Sequence, residues 1–304
     1  MLATPRWWTE RRRQYLLQRF ERLSEQEQME VQRRVDYYCR LSEPAALPAD
    51  APTLGKQHYH DCPSAYFFDT YEWNRYFPRE LRWWLVPGDV NHLLPYPSIT
   101  KSRPIAAPEV NQNSVLMKLN KVRHFIFFRD PFTTAEKENR VIFRGAVHGK
   151  PLRATFFEQF YGHPMFDILD TSTNSVYAKH MQLQGETSLY DHLRFKYIMC
   201  LEGNDVASNL KWVMHSNSIA VSPRFTMETW FMEGTLIPNY HYIEVQPDFS
   251  DLLERIDYYN EHPDEAEAIV RHAHDFCQQF KDKRRERLIS LMVMDKYFRM
   301  TNKE

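Results

Sequence analysis

The sequence predicts an α/β protein with a parallel sheet, organised as two domains. Three observations carry that expectation. From residue 139 onward, short apolar runs alternate with amphipathic stretches, the rhythm of β-α-β units whose helices cover both faces of a parallel sheet. The chain has 304 residues, more than one typical core accommodates. Its 18 prolines outnumber its 8 glycines, so the connections are punctuated and stiff rather than low in complexity.

Charge and composition exclude several classes. With 39 basic and 40 acidic residues the formal net charge is −1, so no global basic field favours nucleic acid. No apolar run approaches the roughly 20 residues of a spanning helix. The start, "MLATPRWWTERRRQYLLQRF", lacks the apolar centre of a signal peptide, so the expected location is cytoplasmic. Cys39, Cys62, Cys200 and Cys277 are scattered with no CxxC, as free thiols in a reducing compartment would be.

In order along the chain, Trp7, Tyr15, Leu16, Phe20 and Leu23 recur at helical spacing within a helical region 6–40. The Pro/Ala-rich stretch 41–55 reads as a linker. "RWWLVPGD" (82–89) reads as a buried strand ending in a Pro-Gly-Asp turn, 93–104 as a loop, and "VRHFIFFRD" (122–130) as another strand. Polar residues 131–140 mark a boundary. The expected domains are therefore 1–135, 136–280 and a closing helix in 281–304 that packs back on the first.

The second domain begins with "NRVIFRG" (139–145), a strand, and "KPLRATFFEQFYG" (150–162), a helix stopped by Gly162. "FDILDTS" (166–172) and "YHYIEVQ" (240–246) read as strands. In 248–280 two helices follow, the first capped by Asp248 or Ser250, the second begun by Pro263 at its first position.

The informative stretch is "KYIMCLEGNDVASNLKWVMHSNSIAVSP" (196–223): strand, turn, helix, strand. Ligands of parallel α/β units bind beyond the carboxyl ends of strands. There Gly203 admits close backbone approach, the helix start at Ser208 and Asn209 presents N–H groups, and Lys211 adds a charge, a set suited to a diphosphate. The same residues equally fit a plain cap with a solvated lysine. Arg144 and Gly145 close another strand, where a guanidinium can fork onto phosphate or form a structural ion pair. There is no GxGxxG and no P-loop.

These motifs, with "METWFMEGTLIPNYHYIEVQ" (227–246), "VIFRGA" and "GDVNHLLPYPSITKSRPI" (88–105), resemble glycosyltransferase family 90, which holds lipopolysaccharide-modifying enzymes, capsule xylosyltransferases and protein O-glucosyltransferases. The resemblance covers roughly residues 60–280. It implies a GT-B fold, two Rossmann-like domains facing a cleft, and inverting, metal-independent transfer of a hexose from a UDP-sugar, with no cofactor. It places Arg144, Gly145, Gly203, Ser208, Asn209, Lys211, Glu228 and Trp230 around the donor, Lys101 and Arg103 on the acceptor side, and Asp89 as the catalytic base. Asn209 stands where animal members carry an arginine, which favours the bacterial branch and a glycolipid acceptor, the lipopolysaccharide core. Without the resemblance Asp89 is also a good turn residue.

Two further signals remain. "HYHDC" (58–62) and "HAHDFC" (272–277) invite a zinc reading, but His272 and His274 project about 200° apart on a helix, and no metal is expected. The basic segment 6–23 fits either a surface helix or peripheral contact with the inner membrane, where a glycolipid acceptor resides.

Overall fold

A computed structural model describes residues 5–185 and 187–302. The ends of the expected first and last segments, residues 1–4 and 303–304, lie outside these. In chain order the elements are α1 (Arg6–Gln18), α2 (Glu25–Tyr38), α3 (Ser64–Asn74), β1 (Leu85–Val86), β2 (Ser98–Thr100), β3 (Ser102–Pro104), β4 (Ser114–Leu116) and α4 (Lys121–His124). There follow β5 (Glu138–Gly145), α5 (Pro151–Phe160), β6 (Phe166–Asp170), α6 (Leu189–His192), β7 (Phe195–Met199), α7 (Leu210–His215) and β8 (Ile219–Ser222). The chain ends with β9 (Met227–Thr229), β10 (Ile243–Glu244), α8 (Leu252–Glu261), α9 (Pro263–Gln278) and α10 (Lys283–Thr301). It is a mixed α/β protein with parallel sheets. Contacts divide it into a first unit, residues 1–122, 227–231 and 280–304, and a second, 123–226 and 232–279.

In the first unit β1, β2 and β4 form a short parallel sheet, with Leu85 opposite Ile99 and Ile99 opposite Val115. The segment 93–104, read as a loop, contributes β2 and β3. Its prolines misled: Pro97 precedes β2 and Pro104 ends β3, positions where no ladder N–H is lost. The expected strand 122–130 is instead the end of α4 and irregular chain. Residues 6–40 split into α1 and α2 because Ser24 and Glu27 form a capping box that starts a new helix. α10 packs on α1, α2 and α3. Arg34 of α2 is wholly buried there, 2.7 Å from Glu286 of α10 and bonded to the Tyr38 hydroxyl.

The second unit carries a five-stranded parallel sheet in the order β10-β8-β7-β5-β6. Phe143, Tyr197, Val221 and Ile243 from its strands share one hydrophobic cluster with Phe156 and Phe157 of α5, Ile256 of α8 and Ile269 of α9. Pro263 opens α9 at its first turn. The boundary residue of α8 is Asp251, one residue after Ser250 and three after Asp248, while Asp248 accepts from the backbone and hydroxyl of Ser250 in the preceding turn. Gly162, at φ +82, ends α5 in the left-handed region that glycine tolerates.

Candidate active site

The order of the second sheet fixes where a ligand fits. From β5 the chain crosses to β6 on one side; from β7 it crosses to β8 on the other. The loops after β5 and β7 therefore diverge between neighbouring strands, the switch point at which open α/β sheets bind ligands. Both loops are held by one side chain, Arg153 in the first turn of α5. Its Nη1 donates to the Ala146 carbonyl at 3.1 Å, behind β5. Its Nη2 donates to the Leu201 carbonyl at 2.8 Å and its Nε to that of Glu202 at 3.1 Å, behind β7.

The two motif glycines face this guanidinium. A Cβ at Gly203 would stand 2.9 Å from Nη2 of Arg153, and one at Gly145 would stand 2.7 Å from the Phe143 ring and 3.4 Å from Nη1. Gly203, expected to let a ligand approach, admits the arginine. The first loop is tied from β6 as well: Asp170 Oδ1 accepts from Val147 N at 2.9 Å and from the Ser172 hydroxyl at 2.6 Å. Burial would raise the Asp170 pKa, but hydrogen bonds from Ser172, Ser175 and the Val147 N–H outweigh it and hold the carboxyl below its usual range. Lys150 donates to Asn204, joining the loops a second time.

The predicted cations stand differently. Arg144 leaves β5 toward β6, where Nη2 meets Asp167 Oδ1 at 2.6 Å and Nη1 the Asp167 carbonyl at 2.8 Å. This is an ion pair in place of an open fork. Lys211 is fully buried, its ammonium 2.6 Å from Glu233 Oε1. It stands inside the fold and not at the sheet edge, because α7 begins only at Leu210 and turns this face inward. Met232, at φ 62, holds the left-handed turn that sets Glu233 against it. Ser208 and Asn209 are half-buried in the turn before α7; Asn209 ties back to the Met199 carbonyl at 3.0 Å and makes no cap bond.

Glu228, Trp230 and Arg103, placed by the motifs at the donor and acceptor, belong to the core of the first unit. β9 pairs antiparallel with β3, setting Glu228 opposite Arg103. Arg103 Nε reaches Glu228 Oε1 at 2.7 Å, Arg40 reaches it at 3.0 Å, and the Tyr37 hydroxyl donates to the other oxygen. Trp230 stacks on Tyr38 with ring centroids 3.8 Å apart and donates its indole N–H to Glu286 at 2.8 Å. Both Glu228 and Trp230 are fully buried, so neither lines an open pocket.

Asp89 follows β1 through Gly88, whose φ of +93 makes the sharp turn. Its side chain is 33% exposed, and Oδ1 lies 2.5 Å from the buried ammonium of Lys101. Lys101 sits just beyond β2, so the two stand at the carboxyl ends of adjacent parallel strands. The pair leaves a partly open carboxylate oriented by a cation.

Sequence reading missed Arg153. Its signal was present: on α5 it precedes Phe156 and Phe157 by three and four residues, so it shares their buried face. An arginine on such a face must meet acceptors. Of possible metal ligands, no group of three His, Cys, Asp or Glu side chains is found among the described residues. His274 bonds the Ser216 carbonyl, and His272 stacks on Tyr240 with centroids 3.6 Å apart.

The second unit thus carries a parallel sheet with a clamped switch point, and the first carries an oriented carboxylate at a strand end. Glycosyl transferase family 90 matches residues 106–299, and the chain belongs to that family: it is a glycosyltransferase. It is 40% identical over 285 residues to the O-glucosyltransferase LpsA of Dichelobacter nodosus, covering 93% of this chain and 87% of that one. It is 28% identical over 120 residues to Protein O-glucosyltransferase 2 of Danio rerio, 36% of this chain and 23% of that one.

Proposed function

We propose that the protein is a GT-B enzyme that transfers glucose from UDP-glucose to a hydroxyl of bacterial lipopolysaccharide core, with inversion and without a metal. The observation that carries this reading is the 40% identity, over 93% of the chain, to a bacterial O-glucosyltransferase named LpsA. In it, Asp89 takes the proton of the acceptor hydroxyl as that oxygen attacks the anomeric carbon, and the bond to the UDP oxygen breaks. Lys101 orients the carboxylate. The loops after β5 and β7, with Lys150, Ser208 and Asn209, hold the departing diphosphate through N–H groups and positive charge.

The test is UDP release with UDP-glucose, UDP-galactose and UDP-xylose, each with purified lipopolysaccharide core oligosaccharide, with and without a chelator. The reading expects acceptor-dependent release with UDP-glucose, undiminished by chelation, and a β-linked product by NMR. Preference for another donor, loss with chelator, or retained anomeric configuration overturns the corresponding part. Absence of release with every donor leaves a nucleotide-sugar binder. Within the same scheme, the match to Protein O-glucosyltransferase 2 supports a protein acceptor, and transfer to a folded polypeptide but not to core oligosaccharide would select it. No helix among the described residues is long and apolar enough to cross a membrane. Contact with the inner membrane face through α1, the place of a glycolipid acceptor, is tested by flotation with anionic vesicles.

A further inference from the structure

The first unit contains a cavity of about 140 Å³ that includes none of the residues assigned above to the donor or the base. It lies along the open edge of β1, bounded by the segment after Pro52 and by residues Trp83 to Pro87, two residues short of Asp89. Trp83 and Trp84 line it together with His58 and Asp61. The backbone N–H of His58 donates to Asp61 Oδ2 at 2.8 Å, fixing that carboxylate on an exposed turn.

Trp83 is the informative residue. It is 4% exposed, and its indole N–H is buried with no hydrogen-bond partner. A buried donor without an acceptor is costly and uncommon. The residue that carries it also lines a cavity. The cavity thus joins apolar indole surface and a carboxylate acceptor, with the closed-off indole N–H of Trp83 behind its wall. A pyranose supplies the complement: C–H faces for the indoles and hydroxyl donors for the carboxylate.

We infer that this cavity is a saccharide subsite that seats a sugar ring of the acceptor. The inference rests on the proposed saccharide acceptor. The chain that lines the cavity runs directly into the Pro87-Gly88-Asp89 turn, so a ring held here is tethered beside the strand end that presents the base. A nucleobase also stacks on indoles, but the carboxylate and the position beside Asp89 favour the acceptor sugar over the donor's base.

The experiment titrates the full-length protein, labelled with 15N at its 7 indoles, with methyl glycosides of glucose, galactose and mannose, and separately with uridine. Trp83→Phe assigns the resonance. A saturable shift of the Trp83 indole N–H with at least one glycoside is expected. Asp61→Ala and Trp84→Ala, each checked for a native-like spectrum, should weaken that binding about tenfold. Asp61 is exposed, so its replacement separates binding from folding. If no glycoside moves the Trp83 signal, if uridine alone moves it, or if Asp61→Ala binds glycosides as tightly as the parent, the subsite is wrong. Donor and turnover play no part in this measurement. Acceptor-dependent UDP release without glycoside binding removes the subsite and leaves the transferase, and the converse result does the opposite.

Discussion

Arg153 reaches across the switch point of the second sheet and lies against Gly203, 2.9 Å from where a Cβ would stand. The arginine bonds carbonyls of the loops behind both β5 and β7, so the shape of both loops depends on it. Burial and the nearby charge of Arg123 push its pKa below the usual arginine value, with Asp205 opposing. It remains a cation under ordinary conditions.

Arg153→Lys should not rescue Arg153→Ala. One ammonium cannot reproduce a planar fork that meets carbonyls on two loops. Each variant leaves buried carbonyls short of donors and should lose about 2–3 kcal/mol in urea unfolding. Gly203→Ala should lose about 1–3 kcal/mol by displacing a pinned guanidinium. In the double variant Gly203→Ala/Arg153→Ala the two losses should be less than additive, since the clash goes with the arginine. Full additivity would show that the two residues do not act through one contact.

Lys211→Ala should be destabilising before it is anything else. Removing one member of a buried ion pair takes the opposite charge away from the other and costs about 3–5 kcal/mol. The double variant Lys211→Met/Glu233→Gln should recover most of that loss. UDP affinity measured in this folded double variant then decides the lysine's part in donor binding. Affinity within twofold of the parent would make Lys211 a structural residue alone; a large loss would show that its charge is felt at the diphosphate from inside the fold.

On the proposed mechanism, Asp89→Asn should abolish glycosyl transfer and leave UDP affinity unchanged, because the amide keeps the shape and loses the proposed base. Lys101→Met should reduce kcat more than the donor KM, since the ammonium 2.5 Å away orients the carboxylate. Calorimetric titration with UDP and steady-state rates check both. Retained turnover in Asp89→Asn takes the base away from this residue.

How much of this could be read from the sequence depended on the range of the interactions. β5, α5, β6, β7 and β8 follow from local periodicity, and their limits agree within a few residues. α9 begins at Pro263 because that proline's missing N–H costs nothing at a first turn. The first unit was harder. β1 spans two residues and β2 three, too short for a period to register, and their pairing is set by neighbours distant in sequence. "VRHFIFFRD" has strand composition, yet no strand pairs with it, and composition alone does not supply a partner. The charged residues divide in the same way. Motif position identified Arg144, Lys211, Glu228 and Arg103 as charges of note, but each meets an opposite charge in the fold. A sequence shows that a charge is present; only the fold shows what it faces. Arg153 is the reverse case, a residue without a motif reading that the fold makes central.

His241 sets a pH dependence with a defined sign. Its Nδ1 accepts a hydrogen bond from the Ile237 N–H at 2.9 Å, so the folded state requires the neutral ring. Burial, with the nearby charge of His272, lowers its pKa from 6.5 to about 4. Between these values the unfolded chain binds the proton and the folded chain does not. Stability from this group is therefore complete above about pH 6.5 and falls as the pH drops toward 4, by about 3 kcal/mol at most. His241→Asn places an amide oxygen near the position of Nδ1 and cannot titrate. Urea unfolding at pH 7 and pH 4.5 should show the parent losing more stability on acidification than this variant. Parallel losses in the two proteins would mean that other groups govern the acid limb.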